Sequence, residues 1–182
     1  YAFSLVGGEL IAIGREVSAS IGVGVASAGI TEGEMGLLFR NGALAVEASG
    51  AVAINIAGLG SVSASQVLIA YNESGEELLG ETLVIGDLSY EFQFIPASTG
   101  FLAVSVLGME ATFADTIYLR GNFGFSADDS TGELIVVGSE IDAGLAAGGF
   151  EAGVVGASFG WIVAPDGTSA LEAMGDLRVI IP

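Results

Sequence analysis

The chain has 182 residues with no cysteine, no histidine and no lysine, and 22 acidic residues against four arginines set its net charge at −18 at pH 7. Those absences exclude disulfides, thiolate or histidine metal sites, Ser-His-Asp and Cys-His nucleophiles, Schiff-base lysines and Walker-type phosphate loops, and the charge makes nucleic acid and anionic membranes poor partners. At 52% hydrophobic residues and a mean hydropathy of +0.72, the chain is far too apolar for a disordered acidic tail, and 29 glycines with only three prolines point to tightly packed strands with many turns.

Period-two alternation runs along almost the whole sequence. The chain opens in what reads as the middle of a strand, and GELIAIGREV (8–17) follows. From Val17 to Val25 one face carries Val17, Ala19, Ile21, Val23 and Val25, while the other carries only serine and glycine. Asn41-Gly42, between EMGLLFR and ALAVEASG, predicts a type I′ hairpin. From Ala48 to Asn72 no residue is charged, a length that would let a helix cross a bilayer. Glycines, serines and two asparagines interrupt it, and Val and Ile alternate, so two strands around Gly58-Leu-Gly60 are predicted and no lipid bilayer is expected as a partner.

Asn72-Glu-Ser-Gly75 reads as a further hairpin loop. Tyr90, Phe92 and Phe94 share one face against Ser89, Glu91 and Gln93, the pattern of a half-exposed strand and the one candidate row of aromatics for a sugar platform. Phe123 and Phe125 flank Gly124, and Asp128 to Gly132 predicts the loop into GELIVVGSEI. Asp166-Gly167 marks a last turn. Only Glu110–Ile117 and Ser169–Gly175 resemble helix, and both are short and uncapped, leaving room for a single helical turn at most.

GELIAIGREV and GELIVVGSEI match at six of ten positions, 124 residues apart. Other matches lie in order beside them: Tyr1–Ser4 with Phe123–Ser126, Asn41-Gly42 with Asp166-Gly167, and Glu47–Gly50 with Glu172–Gly175. Residues 1–121 therefore read as one β-repeat unit and residues 122–182 as the first half of a second, both ends looking cut from a longer array. The fold expected is all-β: an elongated antiparallel repeat array, sandwich- or solenoid-like, rich in Gly and Ala, with little or no helix.

Units of this length, with an L-x-G-N-F-G-F phrase (Leu119 to Phe125) leading into Gly/Ala/Val-rich strands and acidic turns, resemble the tandem repeats of giant acidic secreted or surface proteins of bacteria. The resemblance implies an extracellular or cell-surface location and an adhesive, matrix or filament-forming role. It supplies no catalytic or binding residues.

Adjacent carboxylates at Glu76-Glu77 and Asp128-Asp129 fall in predicted turns, and neighbours on a strand point to opposite faces, so a glycosidase pair is not supported and no enzyme is expected. Calcium is the one ion for which hard oxygens cluster in sequence, at Asp128, Asp129 and Ser130 and at Asn72, Glu73, Ser74 and Glu76, although neither loop follows the EF-hand or the nonapeptide pattern. Glu16 and Glu140, identical in both copies, are candidate contacts between units. No other cofactor is implied.

The expectation is a non-catalytic structural repeat of an extracellular filament or giant surface protein. Its strand edges and apolar faces would assemble with neighbouring repeats of the same or identical chains. An adhesin-like module binding glycan, matrix or protein is the alternative, with an outer-membrane β-barrel segment third.

Overall fold

The computed structural model describes residues 1–23, 26–93 and 95–181. Val25 and Phe94 fall outside the described residues, as do the side chains of Ile21 and Val23. Twelve strands follow one another: β1 Ala2–Val6, β2 Glu9–Val23, β3 Ala26–Arg40, β4 Ala43–Ile56, β5 Gly60–Asn72, β6 Thr82–Ile85, β7 Leu88–Glu91, β8 Phe101–Phe113, β9 Ile117–Asp128, β10 Glu133–Ala147, β11 Phe150–Val163 and β12 Ser169–Ile180. No described residue is helical. Both segments with a helical look join the sheet, Ser169–Gly175 in β12 and Glu110 onward at the end of β8.

Among the described residues, ten strands form one antiparallel meander in the order β1-β2-β3-β4-β5-β8-β9-β10-β11-β12, and β6 pairs only with β7. The sheet is open, beginning at β1 and ending at β12. Its nine long strands have 12 to 15 residues, so each spans about 40–50 Å.

Local chemistry sets the turns. Asn41 and Gly42 both hold positive φ (55° and 82°), the conformation of the type I′ turn predicted there. Its counterpart differs. At Ala164–Thr168 only Gly167 has positive φ, and the Asp166 carboxylate accepts from the Thr168 N–H and Oγ1 at 2.9 and 2.6 Å. One added residue makes this a longer loop, which shifts the offset between the copies from 124 to 125.

Strand pairing carries the repeat into three dimensions. Ile11 faces Leu38, and Leu38 faces Ala45; at the corresponding places Ile135 faces Ile162, and Ile162 faces Ala170. The strands β1, β2, β3 and β4 thus correspond to the second half of β9 and to β10, β11 and β12. The boundary read at 121/122 lies inside β9, and the sheet passes through it without a break.

A band of irregular pairing crosses the sheet at mid-strand. Register shifts occur at Gly14/Val17, Thr31/Glu34, Gly50/Val52, Val106/Met109, Ser139/Asp142 and Val155/Ser158. These are β-bulges, which add a residue to one strand and increase its bend and twist. Glu16, Glu32 and Glu140 have φ of 52°, 54° and 53°, and Gly108 and Gly156 have 57° each. Left-handed backbone costs a residue with a Cβ about 1–2 kcal/mol, so the surrounding ladder imposes the conformation. It recurs with the repeat: Glu16 corresponds to Glu140, and Glu32 to Gly156.

The core is the contact between the two sheets. Ile13, Leu38, Ala45, Ala70 and Ala103 from the large sheet pack against Leu78, Leu83, Tyr90, Phe92 and Ile95 from the β6–β7 region. Asn72–Gly75 is therefore no hairpin loop; it leads the chain out of the sheet into this covering layer. The opposite face carries Phe39, Phe125, Trp161 and Leu171, which are 36–68% exposed.

Candidate functional site

The most specific arrangement in the molecule lies where the β6–β7 hairpin meets the sheet. Alternation along β4 puts Glu47 on the covered face, and it is fully buried. A buried carboxylate must find donors or its burial is costly. The Tyr90 hydroxyl donates to Glu47 Oε1 at 2.9 Å, and the backbone N–H of Gln93 donates to the same oxygen at 2.9 Å. Burial first, and then the negative charge of Glu47, push the Tyr90 phenol well above its usual value near 10.

Gly36 makes the arrangement possible. It pairs with Glu47 across β3–β4, and a Cβ there would collide with the Tyr90 ring. The phenol therefore lies directly over backbone to reach the carboxylate. Phe92 meets Tyr90 edge-on, with ring centroids 5.7 Å apart.

The base of the hairpin is pinned. Asn72, also fully buried, donates from Nδ2 to the carbonyls of Glu76 and Pro96 at 2.9 and 2.8 Å. Its Oδ1 accepts from the Ser74 N–H and hydroxyl at 3.0 and 2.7 Å. One side chain thus ties together the two ends of the insertion. Arg40 reaches Glu76 at 2.6 Å and Glu81 at 3.2 Å. The other arginines pair as well: Arg15 with Glu34, Arg120 with Glu110, and Arg178 with Glu151.

The structure distributes the calcium candidates widely. Asn72 is occupied as described, Glu73 accepts from the Leu44 N–H at 3.3 Å, and Glu76 faces Arg40. In the β9–β10 loop the Asp128 carboxylate accepts from the Ser130 N–H and hydroxyl at 2.8 and 2.6 Å. The Ser130 hydroxyl, followed by Ser98, holds the Asp128 carboxyl below the usual range. Asp129 lies against Gly100. Among the described residues no three acidic side chains converge on one point.

Glu140 makes a cross-strand contact at the bulge band, accepting from Asn122 Nδ2 at 2.8 Å, while Asn122 Oδ1 accepts from the Gly108 N–H at 2.8 Å. The chain β8–β9–β10 is stitched there by side chains as well as backbone. Glu16 shares the backbone conformation of Glu140 on β2.

Two readings change. Tyr90 and Phe92 are 6% and 0% exposed, so the aromatic row is core and offers no sugar platform; Phe94 falls outside the described residues. Asn72 acts as a hydrogen-bonding hub rather than as a loop ligand. Sequence reasoning missed Gly36, Glu47 and Tyr90 as a unit. The available signal was Glu47, the one charged residue of β4, repeated at Glu172.

No family model matches the chain, and neither a curated protein nor a solved structure matches it.

Proposed function

We propose that this chain is a non-catalytic structural repeat segment whose sheet extends by adding further units at its edges, in an extracellular filament or giant surface protein. The observation that carries the reading is the strand-for-strand repetition inside one continuous sheet: Ile13–Gly36–Glu47 recurs as Val137–Gly160–Glu172 with the same pairing. A geometry that already propagates once within the chain can propagate again with the next unit.

The edges support it. β12 is exposed along its length, with Leu171 at 68% and Leu177 at 86%, and it carries no proline or lysine between Ser169 and Ile180. Such an edge invites pairing. The charge of −18 opposes it at low ionic strength, because like-charged units repel over a Debye length of about 10 Å at 0.1 M salt, against about 3 Å at 1 M.

Electron microscopy and sedimentation at about 0.05 M and about 1 M sodium chloride, which span weak and strong screening, test the proposal. Rods that lengthen with protein concentration are expected in high salt, and monomers in low salt. The double substitution Leu171→Lys and Leu177→Lys is expected to abolish the rods without moving the urea midpoint. Monomers of constant size under every condition would overturn the reading.

A further inference from the structure

The surface beneath the hairpin exists twice, and among the described residues only one copy is covered. Under β6–β7 the cross-strand rows are Ile11–Leu38–Ala45 and Ile13–Gly36–Glu47. On β10–β12 the same rows read Ile135–Ile162–Ala170 and Val137–Gly160–Glu172. Strands β6 and β7 rest on β1, β2 and β3, and the corresponding β9, β10 and β11 are all present. Gly124 and Ser126 stand where Ala2 and Ser4 stand, so the entry side is equally free of bulk.

Cover is what differs. Ile13 and Leu38 are 0% and 2% exposed, whereas Val137 and Ile162 are 46% and 44% exposed. Two depressions of about 330 and 540 Å³ follow the open surface, and both are lined by Ile135 and Val137. Gly160 decides what the surface is shaped for. Gly36 must lack a Cβ because the Tyr90 ring lies there, while at Gly160 nothing stands within 4 Å of where a Cβ would be.

We propose that the β9–β11 face is a docking surface for a second tyrosine-bearing β-hairpin of the β6–β7 pattern, carried by another polypeptide segment, whose phenol passes over Gly160 to donate a hydrogen bond to Glu172. The chain's own hairpin cannot serve, since Asn72 and Arg40 hold its base on the first surface. The donor is required by Glu172: once covered, its carboxylate must be hydrogen-bonded, which a purely apolar occupant would not provide. This inference rests on the duplicated surface and stands whether or not units polymerise.

The probe is a fluorescent peptide of residues 76–97. Thr82→Cys and Glu91→Cys, which face each other across β6–β7, close a disulfide so that the peptide is a formed hairpin. Titrated with the full chain and followed by anisotropy, it is expected to saturate at one per chain. Gly160→Leu in the protein is expected to weaken binding by about tenfold or more. Tyr90→Phe in the peptide is expected to weaken binding several-fold to the native chain and not at all to Glu172→Ala, which isolates the phenol–carboxylate contact. Should Gly160→Leu fail to fold, Glu172→Arg at the same exposed surface carries the comparison. Absence of binding, or binding indifferent to these substitutions, overturns the proposal. Self-association of the native chain that Gly160→Leu abolishes would also overturn it, in favour of a contact between copies.

Discussion

Glu47 and Glu172 are the same residue in the same strand pairing, yet one is fully buried and the other lies on an exposed strand. The strands beneath them are nearly interchangeable, so strand sequence does not decide the environment of the acid. The β6–β7 hairpin does, by laying Tyr90 and Phe92 over the first copy. A sheet face in this protein is therefore defined by what comes down on it, and the two copies act as each other's control.

The sharpest way to break the comparison is to put a side chain on the two equivalent glycines. Gly36→Leu overfills the seat of Tyr90 and is expected to lower stability by about 3 kcal/mol, with the hairpin displaced. Gly160→Leu meets open space and is expected to change stability by no more than about 0.5 kcal/mol. Urea denaturation followed by circular dichroism measures both.

Removing the phenol comes next. Tyr90→Phe leaves Glu47 buried with one donor fewer, and a loss of about 2 kcal/mol is expected near neutral pH. Ionisation supplies the sign for alkaline solution. The folded-state phenol titrates above its unfolded value near 10, so its contribution is complete below about pH 10 and is lost as pH rises beyond that. Urea midpoints from about pH 8 to 11 should fall in the native chain and fall less in Tyr90→Phe. Equal slopes would show that Tyr90 has no part in alkaline unfolding.

A smaller effect separates the two bulge glutamates. Glu16→Gly relieves left-handed strain and is expected to stabilise by up to about 1 kcal/mol. Glu140→Gly relieves the same strain but gives up the bond from Asn122, so its gain should be smaller by roughly 0.5–1 kcal/mol. Thermal melts of the two variants give the order directly. The smallest change is expected from calcium. With the acidic loops engaged in their own hydrogen bonds, melting temperatures in millimolar calcium and in chelator should coincide, and a clear rise with calcium would restore an ion site.

Much of the fold was legible because it is local. Alternation of apolar and small residues marks the strands, Asn41-Gly42 encodes its turn in two residues, and the GELI phrase announces the repeat. The covering layer was not legible for a physical reason. Tyr90 and Phe92 alternate with polar residues as a half-exposed strand does, and nothing within a few residues says that this short strand leaves the sheet and folds back across it. Asn72 looked like an ordinary loop residue because its partners, Glu76 and Pro96, are assembled only when the insertion closes. Glu47 could be seen as repeated, but its burial depends on residues more than forty positions away. The bulge band escaped for a similar reason, since glutamate is a poor advertisement for left-handed backbone and the ladder on both sides imposes it.

The count of strands between equivalent positions carries a consequence of its own. From β1 to the strand that repeats it, β9, the large sheet gains β1, β2, β3, β4, β5 and β8, and six is even. A chain that alternates direction at each step therefore arrives at its second copy pointing as it did at the first. An odd number would set the second copy pointing the other way. Parity alone lets the second copy be related to the first by a simple advance of roughly 29 Å across the strands, with the equivalent surfaces of Ile13–Gly36–Glu47 and Val137–Gly160–Glu172 on the same side of the ribbon.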